Sequence, residues 1–335
     1  MLIEAQKKIA VAIPSYRVTA HVLAVIEAIP DIVTRIYAVD DACPDGSGAF
    51  IQENCKDPRV VVLFNTENQG VGGAVINAYR QAIEDSMDIV VKIDGDGQMD
   101  PKLLPFFLRP ILLDEADYTK GNRFFRPESI RGMPSIRVFG NVMLSFITKL
   151  SCGYWSNMDP TNGYTAVHTR VLREIPLDKL ERRYFFETDM LFRLNVLRGV
   201  VCDIPMDSIY ADEESHLKVR KVLPEFLGKH ASRLVRRYVY SYLIRDFNVG
   251  TLYSIFGILF LIIGLGFGMW HWILSAVTDQ TASSGTVMLA ALPIIIGIQF
   301  LIAFLHYDVS NVPTKALSPQ LSYAAAIHSK LGIQD

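Results

Sequence analysis

The stretch "VVKIDGDGQMDP", residues 90–101, joins an apolar run to a cluster of acidic side chains. The apolar run ends at Ile93, and Asp94, Asp96 and Asp100 follow in close succession. Carboxylates this close repel one another unless a positive charge lies between them. Two interpretations are open at this point: a solvated turn, for which Asp and Gly are typical residues, and a site that binds a divalent cation.

Strand-like and helix-like patterns alternate before this stretch. Strands are predicted over 8–15, 35–41, 59–65 and 88–96, and helices over 19–28 and 71–86. Strands that are almost continuously Val and Ile, alternating with amphipathic helices, indicate a mostly parallel sheet with helices on both faces. The predicted fold class is therefore α/β and Rossmann-like, and ligands of such sheets bind at the carboxyl ends of the strands.

Polar groups follow the ends of the predicted strands, at Pro14-Ser15-Tyr16, Asp40-Asp41 and Asn65. A carboxylate at the end of the second strand can accept hydrogen bonds from a nucleobase or a ribose. The alternative for Asp40 and Asp41 is that they cap the turn that follows them.

Three glycines, Gly70, Gly72 and Gly73, open the helix predicted at 71–86. Small residues there allow backbone N–H groups and the helix dipole to approach a phosphate. The alternative is simple close packing of the helix on the sheet.

The pair Asp94 and Asp96 favours the cation over the turn. Mg²⁺ and Mn²⁺ bind through one or two carboxylates together with diphosphate oxygens. Alternate residues of an extended chain face the same side, so both carboxylates are expected to face one ion. Gln98 continues that face, and Asp100 is expected to cap a helix that begins at Pro101.

The C-terminal third contains two long segments, 252–277 and 281–307, without Asp, Glu, Lys or Arg. A helix needs about 20 apolar residues to cross a bilayer, so both segments are predicted to be transmembrane; the alternative is a buried hairpin in a soluble core. Basic residues flank the pair on both outer sides and are absent from the loop. The positive-inside rule therefore predicts that both termini are cytoplasmic.

Four motifs in order resemble the family 2 glycosyltransferases of the GT-A fold. They are "AVDDACPDGSG" (38–48), "NQGVGGAVINAY" (68–79), "KIDGDGQMDP" (92–101) and "DPTNGYTA" (159–166). The resemblance extends over residues 8–215 and is strongest to the polyisoprenyl-phosphate hexose synthases. Departures are "PSYRVT" where a PxYNE-like motif is usual, and Ala42-Cys43 where Gly-Ser is usual.

The resemblance implies a nucleotide-diphosphate sugar as donor, a polyisoprenyl phosphate as acceptor, and Mg²⁺ or Mn²⁺ as cofactor. It assigns the metal to Asp94 and Asp96. The residues it assigns to donor binding are Pro14, Ser15, Tyr16, Asp40, Asp41, Gly70, Gly73, Lys92, Asp94 and Gln98.

Three acids are candidates for a catalytic role by the same resemblance. Asp159 begins a segment similar to the family's DPTSGFR, in which Thr165 replaces the usual arginine, and Glu187 and Asp189 lie in "YFFETDMLFRL". The second pKa of a monophosphate is near 6, so such an acceptor is largely ionised at pH 7. Positioning and electrostatics then matter more than proton removal, and the roles of the three acids stay open.

Four regions are predicted: a cytoplasmic GT-A domain (1–215), amphipathic juxtamembrane helices (216–250), a transmembrane hairpin (251–308) and a cytoplasmic tail (309–335). Basic residues of the second region are expected to meet anionic headgroups or the acceptor's phosphate; ordinary positive-inside charge is the alternative. These residues are Lys218, Arg220, Lys221, Arg233, Arg236 and Arg237.

The leading hypothesis is an inverting, metal-dependent transfer of one hexose-type sugar to undecaprenyl phosphate or a related lipid at a bacterial inner membrane. Two alternatives remain: extension of an already glycosylated lipid-linked oligosaccharide, and a catalytically silent membrane scaffold or nucleotide-sugar sensor. The net charge of −2 gives no indication of a nucleic-acid partner. Gly264, Gly266 and Gly268 would permit close helix packing and hence a homo-oligomer.

Overall fold

The computed structural model describes residues 7–126, 135–207 and 219–323, without the side chains of 135–137 and 219–223. These residues form two compact units. The first contains the described residues up to Leu234 and those from Pro313 onward, and the second is Val235–Val312.

The first unit is built on a seven-stranded sheet. The strands are β1 (Ile9–Ser15), β2 (Arg35–Asp40), β3 (Val60–Phe64), β4 (Ile89–Lys92), β5 (Tyr118–Asn122), β6 (Thr165–His168) and β7 (Val201–Pro205). Their order is β3-β2-β1-β4-β6-β5-β7. Only β6 runs antiparallel to its neighbours, β4 and β5, so the prediction of a mostly parallel α/β sheet is confirmed.

The helices that connect these strands include the two predicted over 19–28 and 71–86. They are α1 (Val22–Glu27), α2 (Ser47–Asn54), α3 (Val71–Glu84), α4 (Leu104–Leu112), α5 (Ser135–Cys152), α6 (Thr169–Glu174) and α7 (Phe186–Leu197). Short 3₁₀ turns precede α4 and α7, at Pro101–Leu103 and Leu177–Lys179. A main core cluster lies between β1, β4, α1 and α4 and includes Val11, Val91, Val22 and Phe107.

Strand β4 ends four residues earlier than the sequence predicted. It stops at Lys92, and the chain turns at Gly95 and Asp96. Gly97 has a φ of +79°, a backbone conformation that glycine adopts without steric cost. Asp94 and Asp96 therefore lie on a turn at the carboxyl edge of the sheet, and the extended conformation expected for them was wrong.

The predicted cap at Asp100 is confirmed. Its side chain accepts a hydrogen bond from the backbone N–H of Lys102 at 2.9 Å, and Pro101 occupies the first position of the 3₁₀ turn. Asp100 is therefore separate in role from Asp94 and Asp96, because it satisfies an otherwise unpaired N–H at the start of a helical turn.

The second unit contains the helices α9 (Val249–Thr278) and α10 (Ser284–Ser310). By length and composition both are apolar enough to cross a membrane. A Cβ on Gly264 would lie 2.9 Å from the Ala290 carbonyl, and one on Gly297 would lie 3.0 Å from the Gly257 carbonyl. Glycine thus permits close contact within the hairpin.

Helix α8 (Val219–Tyr238) continues into a π-helical turn at Val239–Ile244. Arg237 makes two hydrogen bonds of 2.6 and 2.9 Å to the carboxylate of Asp308, and the Tyr242 hydroxyl donates to the same carboxylate at 2.5 Å. All three side chains are buried. An ion pair shielded from water in this way holds the end of α8 to α10 within the second unit.

The chain after α10 belongs to the first unit, where the sequence predicted a separate tail. The backbone N–H groups of Leu317 and Ser318 donate to the buried carboxylate of Asp117 at 2.7–3.0 Å. The same carboxylate accepts from the Val200 N–H at 2.8 Å, at the start of β7. Asp117 therefore joins the returning chain to the sheet.

Burial of His168 predicts a specific acid sensitivity. His168 caps α6 by accepting the Arg170 N–H at its Nδ1, which requires an unprotonated nitrogen. Burial, helped by the charges of Arg170 and Lys7, lowers the pKa of His168 from 6.5 to about 4. Stability from this group is therefore present above pH 6.5 and is lost as the pH falls toward 4.

Between pH 7 and pH 5, the free energy of unfolding of His168→Asn should fall by about 2 kcal/mol less than that of the parent. The reason is that Asn still caps the helix and does not titrate. Denaturant unfolding in detergent at the two pH values measures this. The exposed His21→Asn should behave like the parent. An undiminished acid loss in His168→Asn would contradict the assignment.

Candidate active site

A buried lysine lies beneath the acidic turn. The Nζ of Lys92, the last residue of β4, is 2.9 Å from Oδ1 of Asp94 and 3.2 Å from Oε1 of Glu187, and it also donates to the Gly163 carbonyl at 3.2 Å. Its side chain is 1% exposed. A buried ammonium is tolerated only where it is paired and hydrogen-bonded, so Lys92 holds both acids at the carboxyl edge of β4.

The electrostatics of this trio favour the charged lysine. Burial by itself favours the neutral amine, but the charges of Asp94 and Glu187 outweigh it and raise the pKa of Lys92 above its ordinary value. Burial raises the pKa of Glu187, against the opposing effect of Lys92. The trio is thus held together by opposite charges in a low-dielectric environment.

Gly163, in the fourth motif, packs directly on this trio. A Cβ there would clash with the Lys92 amine and would lie 2.6 Å from Oδ2 of Asp94. Its neighbour Asn162 donates a hydrogen bond to Oδ2 of Asp159 at 3.1 Å. The segment 159–163 therefore joins the acidic turn to a second ionic group.

That second group is the ion pair of Asp159 with Arg123. The guanidinium donates from Nε and Nη2 at 2.7 and 2.6 Å, and the Arg123 backbone N–H donates at 3.1 Å. Burial opposes ionisation of Asp159, but the hydrogen bonds and charge of Arg123 prevail and lower its pKa. A carboxylate so paired is a poor base, so Asp159 positions Arg123, whose side chain stays 25% exposed.

Asp189 is not at the site. Its carboxylate is fully buried and accepts from Arg233 at 2.7 Å, from Arg193 at 3.1 Å and from the Glu181 N–H at 3.1 Å. Of the two acids predicted on α7, only Glu187 reaches the acidic turn. Both lie in the first turn of the helix, where a step of two residues points side chains to different faces.

Asp40 and Asp41 hold their own loops. Asp40 accepts from the Cys43 N–H at 2.7 Å and the Gly48 N–H at 2.5 Å. Asp41 accepts from the side chain of Asn65 at 2.7 Å and from the Gly70 N–H at 2.7 Å. Both carboxylates are buried. The turn-capping alternative describes the contacts of Asp40, whereas Asp41 holds the loop between β3 and α3.

The glycines that open α3 serve close packing. The Gly73 N–H donates to the Arg182 carbonyl at 2.9 Å, and a Cβ on Gly72 would lie 2.7 Å from the Glu181 carbonyl. The N–H groups of Gly70 and Gly73 are thus used within the protein, by Asp41 and Arg182. The phosphate contact expected of these two groups does not match this geometry.

The loop after β1 presents one aromatic side chain. Ser15 is buried and donates to the Ile13 carbonyl at 3.1 Å, Pro14 is half-buried and Tyr16 is exposed. The Arg17 guanidinium lies 5.5 Å from the Tyr16 ring centroid. Next to the acidic turn, the half-buried Gln98 donates its N–H to Oδ1 of Asp96 at 3.0 Å. Tyr16 and Gln98 therefore remain accessible to a donor.

Arg233 and Arg237, two of the arginines predicted to lie on the surface of α8, are buried. Arg233 pairs with Asp189 and Glu181, and Arg237 pairs with Asp308. They bind protein carboxylates where we had expected lipid or acceptor phosphate, because the buried carboxylates of Asp189 and Asp308 need positive partners. Arg236 is exposed. Lys218 lies outside the described residues, as do the side chains of Arg220 and Lys221.

The sequence assigned no role to Arg123, which the structure places at the site. It immediately follows Asn122, the last residue of β5. The rule that ligands bind at the carboxyl ends of strands would have found it, had β5 been predicted.

Residues 10–176 match the family described as Glycosyl transferase family 2. The undecaprenyl-phosphate mannosyltransferase of Micrococcus luteus is 32% identical over 182 residues, which are 54% of this chain and 73% of that protein. The chain belongs to glycosyl transferase family 2. It is a glycosyltransferase, and the predicted family is confirmed.

One further relative agrees with this assignment, and one solved structure bears on the fold. The UDP-N-acetylglucosamine–dolichyl-phosphate N-acetylglucosaminyltransferase of Methanococcus voltae is 28% identical over 222 residues, which are 62% of this chain and 88% of that protein. The crystal structure of mannosyl-3-phosphoglycerate synthase from Rubrobacter xylanophilus has a TM-score of 0.54 at 18% identity, with 72% of this chain and 78% of that chain covered. The latter supports the GT-A fold.

Because Lys92 is buried in this glycosyltransferase, its replacement should lower the free energy of unfolding. Lys92→Met leaves Asp94 and Glu187 without their counter-ion, which typically costs about 3–5 kcal/mol. The double variant Lys92→Met/Glu187→Gln removes one of the two charges and should recover part of that loss. Denaturant unfolding of the parent, both single variants and the double variant measures the coupling, and additive losses would contradict the trio.

A second prediction concerns Ala42, whose backbone has a φ of +50°, a conformation that suits glycine. We expect Ala42→Gly to raise the free energy of unfolding by about 1 kcal/mol through relief of this strain. Ala28, at a φ of −79°, is the matched control, and Ala28→Gly should give no gain. Equal effects at the two positions would show that Ala42 is not strained.

Proposed function

We propose that this glycosyltransferase transfers a single sugar from a nucleotide diphosphate sugar to a polyisoprenyl phosphate, with inversion at the sugar. The main support is the segment 159–163. Its Gly163 carbonyl accepts a hydrogen bond from Lys92, which is paired with Asp94 of the acidic turn, and its Asp159 holds Arg123. Such a site offers carboxylates to a metal–diphosphate and a guanidinium to a second anion. A lipid phosphate fits that second position.

The acidic turn suits a hard divalent cation. Oδ1 of Asp94 lies 2.9 Å from Nζ of Lys92, and the Asp94 side chain is still 28% exposed. The described residues contain no group of three or more His, Cys, Asp and Glu side chains that would hold a metal alone. Asp94 and Asp96 would hold Mg²⁺ or Mn²⁺ together with the donor's diphosphate. The bound ion would neutralise charge on the departing nucleoside diphosphate.

Arg123 is the cation proposed to receive the acceptor. A guanidinium binds phosphate through paired N–H donors and keeps its charge at all physiological pH values. Asp159 fixes the orientation of Arg123 by three hydrogen bonds. Orientation of the reactants is a large part of the barrier that an enzyme can remove.

The pairing of the acids supports a phosphate nucleophile. Asp159 is paired with Arg123, and Glu187 is paired with Lys92, so neither is placed as an unpaired general base. An ionised lipid phosphate needs no base. Its oxygen forms the new bond to the anomeric carbon while the bond from that carbon to the diphosphate breaks, and the electron pair leaves with the nucleoside diphosphate.

The path of the chain supports a membrane hairpin with both ends on one side. The segment after α10 binds Asp117 through Leu317 and Ser318, in the same compact unit that precedes α9. Two spanning helices return a chain to its starting side. We therefore place the catalytic unit and both flanks of the hairpin in the cytoplasm, at an inner membrane if the source is bacterial.

The test is an assay of the full-length protein in liposomes that contain undecaprenyl phosphate. Radiolabelled sugar from UDP or GDP donors should enter an acid-labile, organic-extractable lipid of the mass expected for one added sugar. EDTA should abolish the transfer, and Mg²⁺ or Mn²⁺ should restore it. Asp96→Ala should reduce the rate at least about a hundredfold, because it removes a ligand of the ion that stabilises the leaving group.

Asp100→Ala is the matched control, since Asp100 caps a 3₁₀ turn and should leave the rate within about threefold of the parent while costing about 1 kcal/mol of stability. Label in a longer lipid-linked glycan would support the oligosaccharide-extending alternative. Donor binding without any transfer would support a silent sensor. Either result would refute the proposed reaction.

A further inference from the structure

Helix α5 (Ser135–Cys152) has its apolar and polar faces reversed relative to a helix of a soluble domain. Its large apolar side chains face outward: Phe139 is 64% exposed and Phe146 is 50% exposed. Its small polar side chains face the protein, where Ser145, Thr148 and Ser151 are all buried. A surface helix in water shows the opposite arrangement.

The exposed residues form one continuous stripe. Phe139, Val142, Met143 and Phe146 are spaced i, i+3, i+4 and i+7, which places them on a single helix face. Phe125, just before the gap in the described chain that precedes α5, is 62% exposed as well. Contiguous exposed apolar surface of this kind marks an interaction site.

The polar face is fitted to the rest of the protein. The Ser151 hydroxyl lies 2.8 Å from Nδ1 of the buried His230 and 3.1 Å from the Thr148 carbonyl. The Thr148 hydroxyl donates to the Leu144 carbonyl at 2.8 Å. The contact with His230, together with the hydrogen bond of 3.3 Å from Cys152 Sγ to the Thr188 carbonyl, fixes which side of α5 faces inward. Rotation of the helix therefore cannot hide the apolar stripe.

The length and charge of this region select a lipid surface as the partner. The apolar part of α5, Val138–Cys152, is 15 residues long and spans about 22 Å, which is short of the roughly 30 Å of a bilayer core. Residues 123–155 contain five Lys or Arg and one acidic residue. An apolar stripe within a basic segment is typical of helices that lie in the plane of an anionic membrane surface.

We propose that α5 lies in the membrane interface, with the stripe Phe139, Val142, Met143 and Phe146 inserted among the acyl chains of an anionic phospholipid bilayer. The chain enters this region from Arg123 and leaves it toward Asp159, the two members of the ion pair at the site. Insertion of α5 therefore holds that end of the site at the level of lipid phosphates. This last consequence rests on the proposed function, whereas the lipid contact itself does not.

Site-specific photo-crosslinking in the full-length protein tests the lipid contact. The photoreactive residue p-benzoylphenylalanine replaces Phe139 or Phe146 in separate variants, which are reconstituted in phosphatidylcholine–phosphatidylglycerol liposomes and irradiated. The control position is Ile32, which is also exposed and lies three residues before the amino end of β2, at the sheet edge opposite the site. Peptide mass spectrometry then measures phospholipid adducts.

Phospholipid adducts at positions 139 and 146 should exceed those at position 32 at least about tenfold, since burial of one phenylalanine is worth about that factor or more in an equilibrium. Adducts to a second copy of the chain would instead assign the stripe to a dimer interface. Phospholipid adducts no more abundant than those at position 32 would show that the stripe faces water. Either result would overturn the proposal.

A second experiment separates the placement of α5 from the identity of the acceptor. The double variant Phe139→Ser/Phe146→Ser should transfer sugar to undecaprenyl phosphate in liposomes about tenfold more slowly. Its rate with a short, water-soluble prenyl phosphate should stay within about twofold of the parent's. Equal loss with both acceptors would overturn a role through the bilayer. If the parent uses neither acceptor, the proposed function fails and the crosslink alone decides the position of α5.

Discussion

The buried ammonium of Lys92 is the interaction on which the site depends. It sits at the end of a central strand, within 3.2 Å of carboxylates from the turn after β4 and from α7. Removal of Lys92 leaves two carboxylates without their counter-ion in a medium of low dielectric constant, which is far more costly than loss of a surface ion pair. Lys92 thereby couples the acidic turn, α7 and the Gly163 loop into one rigid assembly.

Several acids that the sequence assigned to the site bind groups of the protein itself. Asp40 and Asp41 bind backbone N–H groups, Asp159 orients Arg123, and Asp189 pairs with arginines. A carboxylate buried at a strand end needs hydrogen-bond donors. The surrounding loop supplies them and is thereby fixed in place. In the proposed function, the chemistry is then left to the turn with Asp94 and Asp96 and to the partly exposed guanidinium that Asp159 orients.

The sequence predicted a mostly parallel sheet, its first four strands and the acidic cluster after β4, because each rests on local signals: apolar strands, helical periodicity, and Asp and Gly at the end of β4. It could not distinguish Glu187 from Asp189, since the two differ only in which face of α7 they occupy. The ion pairs of Arg233 and Arg237 were equally hidden, because their partners Asp189 and Asp308 are 44 and 71 residues away. Non-local pairings of this kind leave no pattern in a single sequence.

In the proposed function, the turn after β4 binds the donor's diphosphate through a divalent cation. A structure of the full-length protein with Mn²⁺ and a nucleoside diphosphate, with anomalous scattering recorded at the manganese edge, tests this binding. We expect one strong anomalous peak within coordination distance of the Asp96 carboxylate and of the diphosphate oxygens, and we expect the peak to be lost in Asp96→Ala. A manganese peak elsewhere, with the nucleotide bound and Asp96 without contact to it, would show that the turn is not the metal site.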